Sequence, residues 1–60
     1  MQLGLYQTKR YDGVDIWRAG VFGTNHAGEG LTREEAIEDA IEWAKPRMGQ
    51  RYSEVLEIEI

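Results

Sequence analysis

From Thr32 to Ala44 the chain carries the signal that most limits what the rest of it can become. Ala36, Ile37, Ala40, Ile41 and Ala44 recur so that, at about 100° per residue, they fall on one side of a helix. Thr32 stands where an N-cap is needed. Its hydroxyl can accept a hydrogen bond from a free amide of the first turn, and Glu35 can reach back to the Thr32 amide to complete a capping box. Pro46 disfavours helical geometry at Lys45, so the regular helix is predicted to stop there. A kinked extension to Met48, closed by Gly49, is the alternative.

A helix with one apolar stripe needs a second layer to pack on, and the remaining sequence reads as strands. Gln2 to Thr8 alternates Leu3 and Leu5 with Gln2, Gly4 and Tyr6, a pattern for a strand with two unlike faces. Tyr11-Asp12-Gly13 follows as a turn, since Asp and Gly tolerate the positive φ of tight reversals. Val14 to Phe22, rich in β-branched and aromatic residues, reads as the return strand. Its parity changes between Val14 and Ile16 on one side and Ala19 and Val21 on the other, so a bulge at Gly20 is expected to turn both pairs inward. Gly23 to Gly30 has no apolar periodicity and reads as a loop. Val55 to Ile60 alternates regularly, with Leu56, Ile58 and Ile60 expected against the helix and Glu57 and Glu59 in water.

The expected fold is therefore α+β, a single domain over residues 1–60 in the order ββαβ. It has a three-stranded antiparallel sheet in the order 2-1-3, with the helix on one face. Sixty residues bury only about 60% of the surface of the unfolded chain, and without cysteine there is neither a disulfide nor a thiolate metal site to compensate. A reducing, cytoplasmic setting fits, as does a monomer or a weak homodimer. No apolar run approaches the roughly 20 residues of a membrane span, and no signal-peptide pattern opens the sequence.

Charge is unevenly placed. Up to Arg33 four cations meet three acids, whereas from Glu34 onward eight acids meet three cations, within a total of -4. Direct binding of nucleic acid calls for a cationic footprint, so this distribution points away from it and toward a basic protein surface as partner. On the helix, Glu34, Glu35, Glu38, Asp39 and Glu42 lie opposite the apolar stripe over about 140° of arc. Like charges four residues apart cost a few tenths of a kcal/mol each, so an anionic surface is kept at some expense in stability. Solubility accounts for such a face as well as binding does.

Little here can do chemistry. His26 is the only histidine and lies in the Gly-rich segment, where it has no neighbouring nucleophile and orienting group, so it reads as an exposed loop residue or a peripheral contact. A metal site built on His26 and Glu29 would lack further ligands. Gly28-Glu29-Gly30 before a helix is the arrangement of a phosphate loop, but Glu29, Glu34 and Glu35 would repel a phosphate, and the segment reads as a connection into the helix. No catalytic residue, metal or cofactor is expected. Among the aromatics, Trp43 lies at the margin of the stripe and can seal the helix on the sheet. Trp17, opposite in parity to Ile16, is expected on the outer sheet face, where it could anchor an interface.

Two resemblances bear on function. Gly30-Leu31-Thr32-Arg33-Glu34-Glu35-Ala36, continuing to Ala40, resembles the start of the helix in HicB-type antitoxin domains, which also place it after a β-hairpin. Their Pro-Asp-x-x-Gly-Cys-like segment has no counterpart between Val21 and Glu29. In whole-chain character, very short, acidic, cysteine-free and αβ, the sequence resembles small phage anti-CRISPR proteins that act on type I effector complexes. That resemblance implies a non-enzymatic inhibitor that masks a basic, nucleic-acid-binding surface by DNA mimicry. The partner it implies is the Cas subunit that recognises target DNA, with Glu34, Glu38, Asp39 and Glu42 imitating phosphates and Trp17 as an added contact.

Overall fold

The computed structural model describes residues 1–48 and 55–59. The chain is α+β: strands β1 (Gln2–Lys9), β2 (Asp15–Val21) and β3 (Ala27–Gly30), helix α1 (Arg33–Met48) and strand β4 (Leu56–Glu59). They form one mixed sheet in the order β3-β2-β1-β4. No helix among the described residues is long and apolar enough to cross a membrane.

The first hairpin closes as its residues require. Gly13 takes φ of 85°, its N–H donates to the Arg10 carbonyl at 2.9 Å, and the Val14 N–H donates to Asp12 Oδ1 at 3.2 Å. The ladder then runs without interruption from Lys9 opposite Asp15 to Leu3 opposite Val21. The bulge expected at Gly20 is therefore absent, and the parity change has a simpler origin. Trp17, Ala19 and Val21 share the face of Leu3 and Leu5, whereas Ile16 lies on the opposite face and is buried outside the main core cluster. This also corrects Trp17, which is half-buried against the core on the helix side instead of standing exposed on the outer face.

β3 lies in the segment read as a loop. Gly23 adopts φ of 86°, and the Thr24 hydroxyl donates to the Val21 carbonyl at 2.8 Å, turning the chain back so that Trp17 to Gly20 pair with Gly30 to Ala27. Gly28 and Gly30 gave no strand signal because they have no side chain, and that is the reason they are needed. A Cβ on Gly28 would lie 2.5 Å from both the Ala36 carbonyl oxygen and the Ala40 nitrogen, and one on Gly30 would meet Glu35 Cβ and the Ala36 nitrogen. Two glycines two residues apart share a strand face, and two alanines four residues apart share a helix face, so backbone packs directly on backbone.

The additional strand reverses the chain once more, and the last strand consequently enters the sheet in the opposite direction. β4 runs parallel to β1, not antiparallel, with Leu3 opposite Glu57 and Leu5 opposite Glu59. The faces of β4 are accordingly the reverse of those expected: Glu57 and Glu59 lie on the helix side and Leu56 and Ile58 on the open side. Alternation shows that two faces differ without saying which is inward. α1 lies mainly over β3 and β2, so among the described residues it gives Leu56 and Ile58 little apolar shelter on the helix side of β4. Arg33 fills that space instead, pairing with Glu57 at 3.0 Å and Glu59 at 3.1 Å. Ile60, also expected against the helix, lies outside the described residues.

The core is thin. Leu3, Leu5, Ala19, Val21, Ala36 and Ala40 form its buried cluster, with Trp17, Ile37, Trp43 and Val55 packed around it. α1 begins as expected at Thr32, whose hydroxyl accepts from the Glu35 N–H at 3.2 Å. The return reach differs by one residue, since Glu35 Oε2 accepts from the Leu31 N–H at 3.4 Å instead of from Thr32. The helix also continues through Pro46 to Met48. Proline supplies no N–H for the Glu42 carbonyl one turn back, and the Arg47 guanidinium donates to the neighbouring Trp43 carbonyl at 2.7 Å. Gly49, the suggested closing residue, lies outside the described residues.

Candidate functional site

The helix turns its carboxylates away from the core because Ala36, Ala40 and Ala44 take the sheet side, all three fully buried. Glu34, Glu35, Glu38, Asp39 and Glu42 are all exposed. Four carboxylates, from Glu35, Glu38, Asp39 and Glu42, border one shallow open depression together with Ile41, Lys45 and the β3 residue Glu29, whose amide meets Asp39 while its own carboxylate lies beside Arg18 on the far face of the sheet. Of the residues expected to bind a partner, Glu38, Asp39 and Glu42 are thus brought together. Glu34 stays in the first turn outside the depression, and Trp17 belongs to the core side of the sheet. Glu29 and Glu35 were not among the expected partner-binding residues. Glu29 joins the site because Gly28 and Gly30 carry β3 under the helix, so the Gly-Glu-Gly spacing was the available signal.

These carboxylates are not equivalent. Asp39 Oδ2 accepts the backbone N–H of Glu29 at 3.0 Å, which occupies an amide on the outer edge of β3. Glu35 serves the helix start, and Glu29 Oε1 lies 3.4 Å from Arg18 Nε across the β2–β3 pair. Asp39, Glu35 and Glu29 therefore hold the rim in shape, while Glu38 and Glu42 carry its outward charge. Glu34 and Glu35 also lie in the first turn and Lys45 and Arg47 in the last, an arrangement the helix dipole favours.

His26 is placed differently from an exposed loop residue. Its ring stacks on Trp43 with centroids 4.2 Å apart and planes 4° from parallel, and Arg47 Cζ lies 4.7 Å from the Trp43 ring centre. The His26 Nε2 is buried and has no hydrogen-bond partner among the described residues. The residue works as packing that ties the start of β3 to the end of α1. Among the described residues no three His, Asp or Glu side chains converge as a metal would require.

Neither a protein-family model, nor a curated protein, nor a solved structure matches the chain.

Proposed function

We propose that this chain is a non-enzymatic inhibitor that binds a basic, nucleic-acid-binding surface of a partner protein and masks it with the acidic depression on α1. The observation that carries this reading is the gathering of the Glu35, Glu38, Asp39 and Glu42 carboxylates around one open hollow where α1 meets the β3 edge. A cationic surface is the natural complement of such a hollow, by steering as well as by contact. The use of His26 as packing against Trp43 supports a non-catalytic role for the one histidine. In the anti-CRISPR form of this reading, the partner is a Cas subunit whose DNA-binding groove the carboxylates occupy in place of phosphates.

The test is titration of the chain, and of a Glu38→Lys/Glu42→Lys variant, against a candidate Cas subunit at two salt concentrations with a short DNA duplex as competitor. Wild-type binding should weaken as salt rises and be displaced by the duplex, and the variant should bind weaker by orders of magnitude. Equal binding of both proteins, indifferent to salt, would make the face a solubility device.

A HicB-type antitoxin module is the second reading, favoured by a specific observation. The segment from Gly30 to Ala40 that carries that resemblance follows directly on the β2–β3 hairpin, the placement the resemblance implies. An adjacent small toxin gene, and a toxin that the chain neutralises, would favour this form over the anti-CRISPR one.

A further inference from the structure

The sheet face turned away from α1 is uncharged in balance and partly apolar. By the strand registers it holds Tyr6, Ile16, Leu56 and Ile58, with Arg18 and Glu29 as an ion pair at 3.4 Å. Phe22, whose N–H continues the ladder to the Gln2 carbonyl at 3.1 Å, follows in the same alternation. Three of these side chains are open to solvent: Phe22 at 49%, Leu56 at 54% and Ile58 at 37%. Clustered exposure of this kind marks a contact surface, and among the described residues no element lies over these three side chains, although Ile16 on the same face is buried. Beside Phe22 the face has a hollow: among the described residues, a Cβ at Gly20 would find only the Gly4 carbonyl oxygen within 4 Å, at 3.8 Å.

We infer that this face binds a second copy of the chain, sheet on sheet. Charge selects that occupant. The helix carboxylates Glu34, Glu38 and Glu42 all lie beyond the sheet from this face, so two copies meeting through it keep their acidic surfaces on opposite outsides. Meeting through the helices would instead oppose like charges. The face also carries both a projection, at Phe22, and a recess, at Gly20, which a two-fold axis can fit to one another, as a self-complementary interface demands. Aligned packing of two such sheets would give each thin core an apolar layer it lacks alone.

Sedimentation equilibrium of the full chain over a wide concentration range tests the inference, with circular dichroism to check that each variant folds. The wild type should pass from monomer to dimer, and the association should hold as salt rises, unlike the binding proposed for the helix face. Phe22→Asp and Ile58→Asp should each weaken it by about tenfold or more, because each would bury a carboxylate in an apolar contact. Glu38→Lys/Glu42→Lys should leave it intact. A monomer at every concentration overturns the inference. A dimer that keeps its strength in both aspartate variants also overturns it, by putting the contact at the free edge of β4 or on the helix.

Discussion

The two edges of the sheet are built on opposite terms. At β3 the helix backbone rests on Gly28 and Gly30, and Asp39 accepts an amide of the outer edge. At β4 every described residue is exposed, and the strand is held by its ladder to β1 and by the reach of Arg33 to Glu57 and Glu59. One edge is secured by shape and the other by charge and main-chain hydrogen bonds. The difference teaches that the helix, lying over half the sheet, decides which carboxylates are structural and which are free.

Gly28→Val breaks this comparison most severely. Its Cβ would stand 2.5 Å from two helix backbone atoms that cannot yield without moving α1. Chemical denaturation should show a loss of about 3 kcal/mol or more, or no folded protein. A midpoint near that of wild type would mean that helix and strand are not in backbone contact.

Losses of about 1 kcal/mol are expected where a single backbone amide loses its acceptor. Thr32→Ala removes the cap from the Glu35 amide, and Asp39→Ala frees the Glu29 amide on the β3 edge. Glu42→Ala, one turn from Asp39 and without such a partner among the described contacts, should leave the denaturation midpoint where it is. If Asp39→Ala and Glu42→Ala behave alike, the division of the acidic rim into structural and free carboxylates fails.

At β4 the effect should be smaller and local. Arg33→Met removes two partly exposed ion pairs, for which up to about 1 kcal/mol is usual. Hydrogen exchange should quicken in Leu56–Glu59 while the β2–β3 amides keep their protection.

The smallest effect lies at the first turn. The Val14 N–H, and then the neighbouring Arg10, hold the Asp12 carboxyl below its ordinary range. A carboxyl depressed in the folded state adds stability above its unfolded value and loses it as pH falls through the lower folded value. Asp12→Asn should therefore flatten the acid limb of stability, read as denaturation midpoints between neutral and strongly acidic pH.

The helix, its cap and the first hairpin were legible in the sequence because each has a local signal: apolar period, Thr32 with Glu35, and Asp12-Gly13. The central place of β1 followed from connectivity. β3 was not legible, since glycines chosen for closeness to a helix look like glycines in a loop. The direction of β4, its inward face and the position of Trp17 were misread in consequence or through the assumed bulge. The acidic residues were legible as a group. Their division was not, because whether a carboxylate such as Asp39 meets an amide depends on a strand ten residues away in sequence that carries no local signal of its own.

The pairing of β1 with β4 has a consequence for how the molecule forms. Gln2 stands beside Leu56, so this contact closes almost the whole length of the chain, whereas both hairpins and the helix join near neighbours in sequence. Closing so long a loop costs entropy that only a preformed docking strand can repay. The first three strands and the helix should thus assemble as one unit, with the last strand arriving late on an edge already waiting for it and leaving first when the molecule opens. A protease present while the chain folds would still find Leu56–Glu59 open after the strands β1 to β3 and the helix had become resistant.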